Sequence, residues 1–113
     1  MSNIFNIFKA KVVPEALIAY KGRFPDELEV SIKSSQDGGY IANVYNLPGC
    51  ITQAETGRQI FEMVNDAVYT YLQIPEDYQI YMPVFFPPES VRKEFGINIP
   101  AKYLKENLSF QKA

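Results

Sequence analysis

Three carboxylates, Asp37, Glu62 and Asp66, and one thiol, Cys50, are the side chains in this 113-residue sequence whose types and spacing suggest chemistry. Three acids converging on one point could hold a divalent metal for phosphodiester hydrolysis. Asp37, however, precedes Gly38-Gly39, where turn formation accounts for it. Glu62 and Asp66 lie one helical turn apart, away from an apolar stripe, and read as solvated acids. The sequence contains no histidine. Ser-His-Asp and Cys-His arrangements are thereby excluded within this chain, and the commonest metal ligand is missing. Without histidine, a nucleophilic Cys50 needs a helix N-terminus or a neighbouring cation to activate it. A small, buried, apolar role is the favoured reading of this sole cysteine. Asp37-Gly38-Gly39 also lacks the glycine spacing and the lysine of a phosphate loop. We expect no catalytic residue, no metal and no cofactor.

Sixteen tyrosines and phenylalanines are present, and 47% of residues are apolar, so the chain builds a core. The net charge of −2 is unevenly spread. Residues 1–25 carry Lys9, Lys11, Lys21 and Arg23 against Glu15, a local +3. Residues 26–88 carry nine acids against Lys33 and Arg58, a local −7, and residues 89–113 carry +2. An acidic middle repels nucleic acid and attracts a basic partner. The aromatic residues are therefore read as core and interface groups, not as stacking platforms for bases. No apolar run approaches the ~18 residues of a membrane span. The first residues lack the features of a signal peptide, and with one cysteine no internal disulfide forms. A cytoplasmic protein is expected.

The elements that must position these groups follow from pattern. Residues 4–8 read as a strand or an apolar arm, and Pro14 allows a short helix. Leu28, Val30 and Ile32 alternate with polar residues, predicting a strand. Tyr40 to Tyr45 predicts its return. A three-residue loop at Asp37-Gly38-Gly39 places Tyr40, Ala42 and Val44 on the inner face and Gly39 in the left-handed region. Leu47-Pro48-Gly49-Cys50 is a tight turn before a third strand. Thr56 and Gln59 form a capping-box pattern, predicting a helix to about Gln73 with Ile60, Val64, Ala67, Val68, Tyr71 and Leu72 inward. Gln79 to Phe86 predicts a fourth strand, at an edge because of Pro83. Glu89 to Phe95 predicts a short helix ended by Gly96, and Pro100 opens a last helix.

The run Asp37-Gly38-Gly39-Tyr40-Ile41-Ala42, then Leu47-Pro48-Gly49-Cys50-Ile51-Thr52, then Ala54-Glu55-Thr56 and the helix to Tyr71-Leu72, resembles the signature of the HicB-type antitoxins. The resemblance covers about residues 28–86. It implies an α+β fold of the partial RNase H type, with a small antiparallel sheet of three to four strands and one packed helix. It also implies that the RNase H acids are absent. The motif residues Asp37, Gly38, Gly39, Tyr40, Leu47, Pro48, Gly49, Cys50 and Thr56 are structural in this reading. The partner implied is a HicA-like toxin, a small basic ribonuclease that cuts mRNA and is silenced by docking.

The expected organisation is an N-terminal extension over 1–25, a HicB-like domain over 26–88 and a C-terminal tail over 89–113. The tail resembles only the first strand and helix of a ribbon-helix-helix, so DNA binding by the isolated chain is not expected. The expected function is that of a non-enzymatic, antitoxin-like binding module. Alternatives are a HicB-like domain binding another protein or a small ligand, and a DNA-binding regulator acting through the tail. Apolar residues on both faces of the predicted fourth strand suggest a homodimer.

Overall fold

The computed structural model describes residues 12–103. Helix α1 (Pro14–Lys21) opens on Pro14, whose missing N–H would have no helical partner in any case. Strands β1 (Val30–Ser34), β2 (Tyr40–Val44) and β3 (Cys50–Ala54) form an antiparallel sheet with β2 central. A 3-10 turn (Gly57–Gln59) leads into α2 (Ile60–Tyr71), which packs on the sheet. Short helices α3 (Glu76–Gln79) and α4 (Glu89–Phe95) follow. The fold is the small α+β arrangement expected, with three strands. The expected arm at residues 4–8, and the last helix beyond 103, lie outside the described residues.

The hairpin register carries one correction. Ser35 N–H donates to Gly39 O (2.9 Å) and Gly38 N–H to Ser35 O (3.1 Å), so the loop is Gln36-Asp37-Gly38. It begins one residue earlier than predicted. Moving both ends of a three-residue loop together shifts the register by two and keeps the face. Val30 pairs with Val44, Ile32 with Ala42 and Ser34 with Tyr40, as the alternation requires. Gly39 has φ 77°, and a Cβ there would come within 2.5 Å of the Ala54 carbonyl oxygen. Pro48-Gly49 closes the next turn, with Cys50 N–H donating to Leu47 O (2.9 Å) and Gly49 at φ 88°.

Helix α2 buries more than one stripe. Ile60, Val64 and Val68 face the sheet as predicted, while Phe61, Asn65 and Tyr69 bury a second row at the same helical spacing. Tyr71, assigned to the inner face, is exposed. The capping box is not closed, because Thr56 makes no side-chain cap. Gln59 Oε1 instead accepts from Glu55 N–H (3.0 Å), one residue upstream of the box position. The helix ends two residues before the predicted limit. Gln73 takes φ 57°, Gln73 N–H donates to Thr70 O (3.0 Å) and Ile74 N–H to Tyr69 O (3.0 Å), which is the Schellman pattern.

The predicted fourth strand, Gln79 to Phe86, does not form. Pro75 starts α3, turns at Tyr81 and Met82 follow, and residues 83–88 have no regular secondary structure and join no ladder. Pro83, Pro87 and Pro88 have no N–H to offer a neighbouring strand, and α2 side chains hold the segment instead. The premise for self-association changes with it: Met82 is buried, while Ile80 and Tyr81 are exposed.

The main core gathers Val44, Val68 and their neighbours with Ile97 and Ile99, so the chain after Pro88 packs into the same core as the sheet. A second cluster joins Tyr69, Ile74 and Met82 to Leu17 and Tyr20 of α1. Gly57 lies against α4, where any Cβ would land on the Phe95 carbonyl group.

Candidate functional site

The three suspected carboxylates stand on one side of the molecule without converging. Asp37, at the exposed hairpin tip, and Glu62, on the first turn of α2, border a hollow of about 620 Å³ with Glu55, Gln59 and Met63. Asp66 borders a neighbouring hollow of about 530 Å³ that shares Glu62 and Met63 and includes Lys102. Among the described residues, no group of three Asp, Glu or Cys side chains is arranged to hold a metal ion. The one ion pair among those residues is Lys93–Glu89, 3.1 Å apart within α4. Asp37, Glu55, Glu62 and Asp66 therefore form no ion pair among the described residues and stand on an open face. Local sequence puts them there: Asp37 favours the turn, and Glu62 and Asp66 sit on the polar side of α2. The sequence reading missed Glu55, which the 3-10 turn brings to the same rim, and Met63, which lies between the acids.

Cys50 is buried, at 3% exposure, and burial pushes its thiol above the ordinary value. Its backbone closes the Pro48-Gly49 turn and pairs with Val44, so it serves as a small core group. Of the other motif residues, Leu47 is buried, Tyr40 packs edge-on against Phe95 at 5.7 Å, and Gly38 and Gly39 shape the tip.

A third concavity, about 600 Å³ and mainly apolar, lies between β1 and the irregular segment 84–88. Asn65 builds its far wall. Its Oδ1 accepts from Phe85 N–H (2.8 Å), and its Nδ2 donates to Phe85 O (3.0 Å) and Phe61 O (3.0 Å). The amide thus imitates a neighbouring strand at one residue. One turn on, Tyr69 Oη donates to Pro83 O (2.8 Å), and its pKa is pushed up to about 12, first by burial and then by Tyr103. On the opposite side, Asn46 Oδ1 accepts from Glu29 N–H (3.0 Å) and Nδ2 donates to Glu27 O (2.8 Å), fixing the approach to β1. The i, i+4, i+8 series Phe61-Asn65-Tyr69 was the available signal for this wall. No helix among the described residues is long and apolar enough to cross a membrane.

No family model matches the chain, and no solved structure matches it significantly. Curated relatives do. A UPF0150 protein of Archaeoglobus fulgidus is 35% identical over 48 residues, covering 42% of this chain and 70% of the relative. A UPF0150 protein of Thermoplasma acidophilum is 36% identical over 44 residues, covering 39% of this chain and 64% of that relative. With more than two thirds of the first relative matched at this identity, the chain belongs to the UPF0150 family.

Proposed function

We propose that the protein is a non-catalytic, HicB-type antitoxin module that docks on a small basic ribonuclease of the HicA type and blocks it. The observation carrying this reading is the acidic rim of Asp37, Glu55, Glu62 and Asp66, which has no ion-pair partner among the described residues. Such a rim speeds encounter with a basic surface and discriminates against acidic ones. Met63, partly exposed between the acids, supplies an adaptable apolar contact. The glycine hairpin, with Gly38 and Tyr40 in the lining of the same hollow, shapes the Asp37 end of the rim, which suits a scaffold signature. The protein acts in the cytoplasm on this reading, without cofactor.

The experiment is co-purification and inhibition with a small basic nuclease encoded beside it. The expected result is a one-to-one complex, loss of RNA cleavage, and an affinity that falls with salt. A Glu55→Lys/Glu62→Lys double variant is expected to weaken binding about tenfold or more, mainly through the association rate. A nuclease that stays fully active in the presence of excess protein overturns the proposal.

A further inference from the structure

We infer that β1 pairs antiparallel with β1 of a second copy of this chain, with the two-fold axis at Ser31, joining two three-stranded sheets into one. β1 has β2 on one side and, among the described residues, no strand on the other. Tyr45 N–H donates to Glu29 O (2.7 Å) and Ser35 N–H to Gly39 O (2.9 Å). Antiparallel bonding alternates, so Glu29, Ser31, Lys33 and Ser35 exchange bonds with β2, and the main-chain groups of Val30, Ile32 and Ser34 point to the open edge. Such an edge is a template for a further strand. Beside it lies the apolar hollow of about 600 Å³ lined by Leu28, Val30, Ile32, Val84 and Phe86. A strand added in the plane of the sheet keeps its inner row on the inner side, so Val30 and Ile32 of the second copy enter that hollow.

Charge selects the occupant and the register. Val30 and Ile32 pair with the buried Val44 and Ala42, so Glu29, Ser31 and Lys33 share the outer face. Glu29 and Lys33 are both exposed, and neither forms an ion pair among the described residues. A lysine on an edge strand ordinarily keeps other strands away. Centring the pairing on Ser31 sets Glu29 of each copy opposite Lys33 of the other, and Val30 opposite Ile32. The two charged pairs then occupy the non-hydrogen-bonded positions, where facing Cα atoms stand about 4.5 Å apart and side chains are closest. Centring on Ile32 sets Lys33 against Ser31 and Glu29 against Ser35, and leaves both charges without an opposite. Centring on Lys33 sets lysine against lysine. An edge that answers its own charges under a two-fold is what an isologous contact requires.

The test is sedimentation equilibrium on the full chain across the micromolar range, with amide exchange at matching concentrations. The expected species has twice the 12.9 kDa mass of one chain. Lys33→Glu sets carboxylate against carboxylate twice and is expected to weaken association about tenfold or more. The exchanged pair, Glu29→Lys/Lys33→Glu, is expected to restore it, which a merely misfolded variant would not do. Val30 and Ile32 amides should lose protection on dilution, while Ser31 and Lys33, bonded to β2, keep theirs. A one-chain mass throughout overturns the inference, as does a dimer indifferent to Lys33→Glu or an exchanged pair that stays dissociated. Protection of Val30 and Ile32 that persists in the monomer assigns the edge to another part of the same chain and overturns it as well.

Discussion

Two halves of this small protein solve the same problem in opposite ways. From Val30 to Tyr71 the main chain is satisfied by regular structure: two antiparallel ladders and one helix. From Pro83 to Ile99 it runs over the same core with one short helix and no ladder, and α2 side chains hold it. The first half stores its instructions in periodic residue patterns, whereas the second depends on single residues distant in sequence, above all Asn65 and Tyr69. Damage to the first half should therefore spread through the fold, and damage to the second should release one segment.

The largest effect is expected at the hairpin. Gly39→Val places a β-branched residue at φ 77° and drives its Cβ into the Ala54 carbonyl. The left-handed penalty and the overpacking together come to roughly 4 kcal/mol, a large share of a typical small-domain stability. Cys50→Ser, nearly isosteric in the buried turn, costs about 2 kcal/mol for an ill-paired hydroxyl. Urea midpoints should fall in that order, with all probes moving together. A milder Gly39→Val would mean that the hairpin is less constrained than the segment it is contrasted with.

Asn65→Leu tests the second half. It preserves volume and leaves Phe85 N–H and Phe85 O without their partner, a cost of about 2–3 kcal/mol. Exchange should quicken at Phe85 and Phe86 while β2 amides keep their protection. A uniform loss of protection across the sheet would erase the distinction between the halves.

The same contrast explains what could be read from sequence. Leu28 to Ile32 and Tyr40 to Val44 announce their faces by alternation, and Ile60, Val64 and Val68 announce theirs by helical spacing. Burial alone dictates those patterns. Gln79 to Phe86 is also apolar and β-prone, and it misleads for that reason. Whether such a stretch joins a sheet depends on donors that Pro83, Pro87 and Pro88 lack and on the Asn65 amide, twenty residues before the Phe85 that it holds. Of the rim, Asp37, Glu62 and Asp66 could be named beforehand, but their common side depends on how the hairpin tip meets the start of α2. Glu55 joins them through the unforeseen 3-10 turn at Gly57–Gln59, whose Gln59 side chain takes the Glu55 amide.

Tyr69→Phe sharpens the comparison by removing a single tie, the bond to Pro83 O, at about 1 kcal/mol near neutral pH. The effect also has a pH signature. Tyr69 is held at about 12 in the fold against 10.0 for the unperturbed group. Between these values the unfolded chain loses this proton and the folded chain keeps it, so stability is fully present below about pH 10 and declines toward pH 12. Stability curves of the two proteins should converge across that window. Parallel curves would mean that Tyr69 is not sealed against its segment.

The smallest effect is expected where the two halves join, and it has the opposite sign. Gln73 ends α2 in the left-handed region at φ 57°, outside glycine's usual monopoly, and the Schellman bonds around it aim Ile74 into the cluster with Tyr69 and Met82. An L-residue in this conformation carries about 1 kcal/mol of strain, which Gln73→Gly removes. Glycine also loses more freedom on folding, which takes back part of the gain. A net stabilisation of about 0.5 kcal/mol is expected, visible as a slightly higher urea midpoint at unchanged slope. Because the Ile74 N–H to Tyr69 O bond sets the direction in which the second half departs, the gain should appear as slower exchange at Ile74 as well as in the sheet. A destabilised Gln73→Gly variant would show that the glutamine side chain itself steers the chain from the ladder-built half into the one held by side chains.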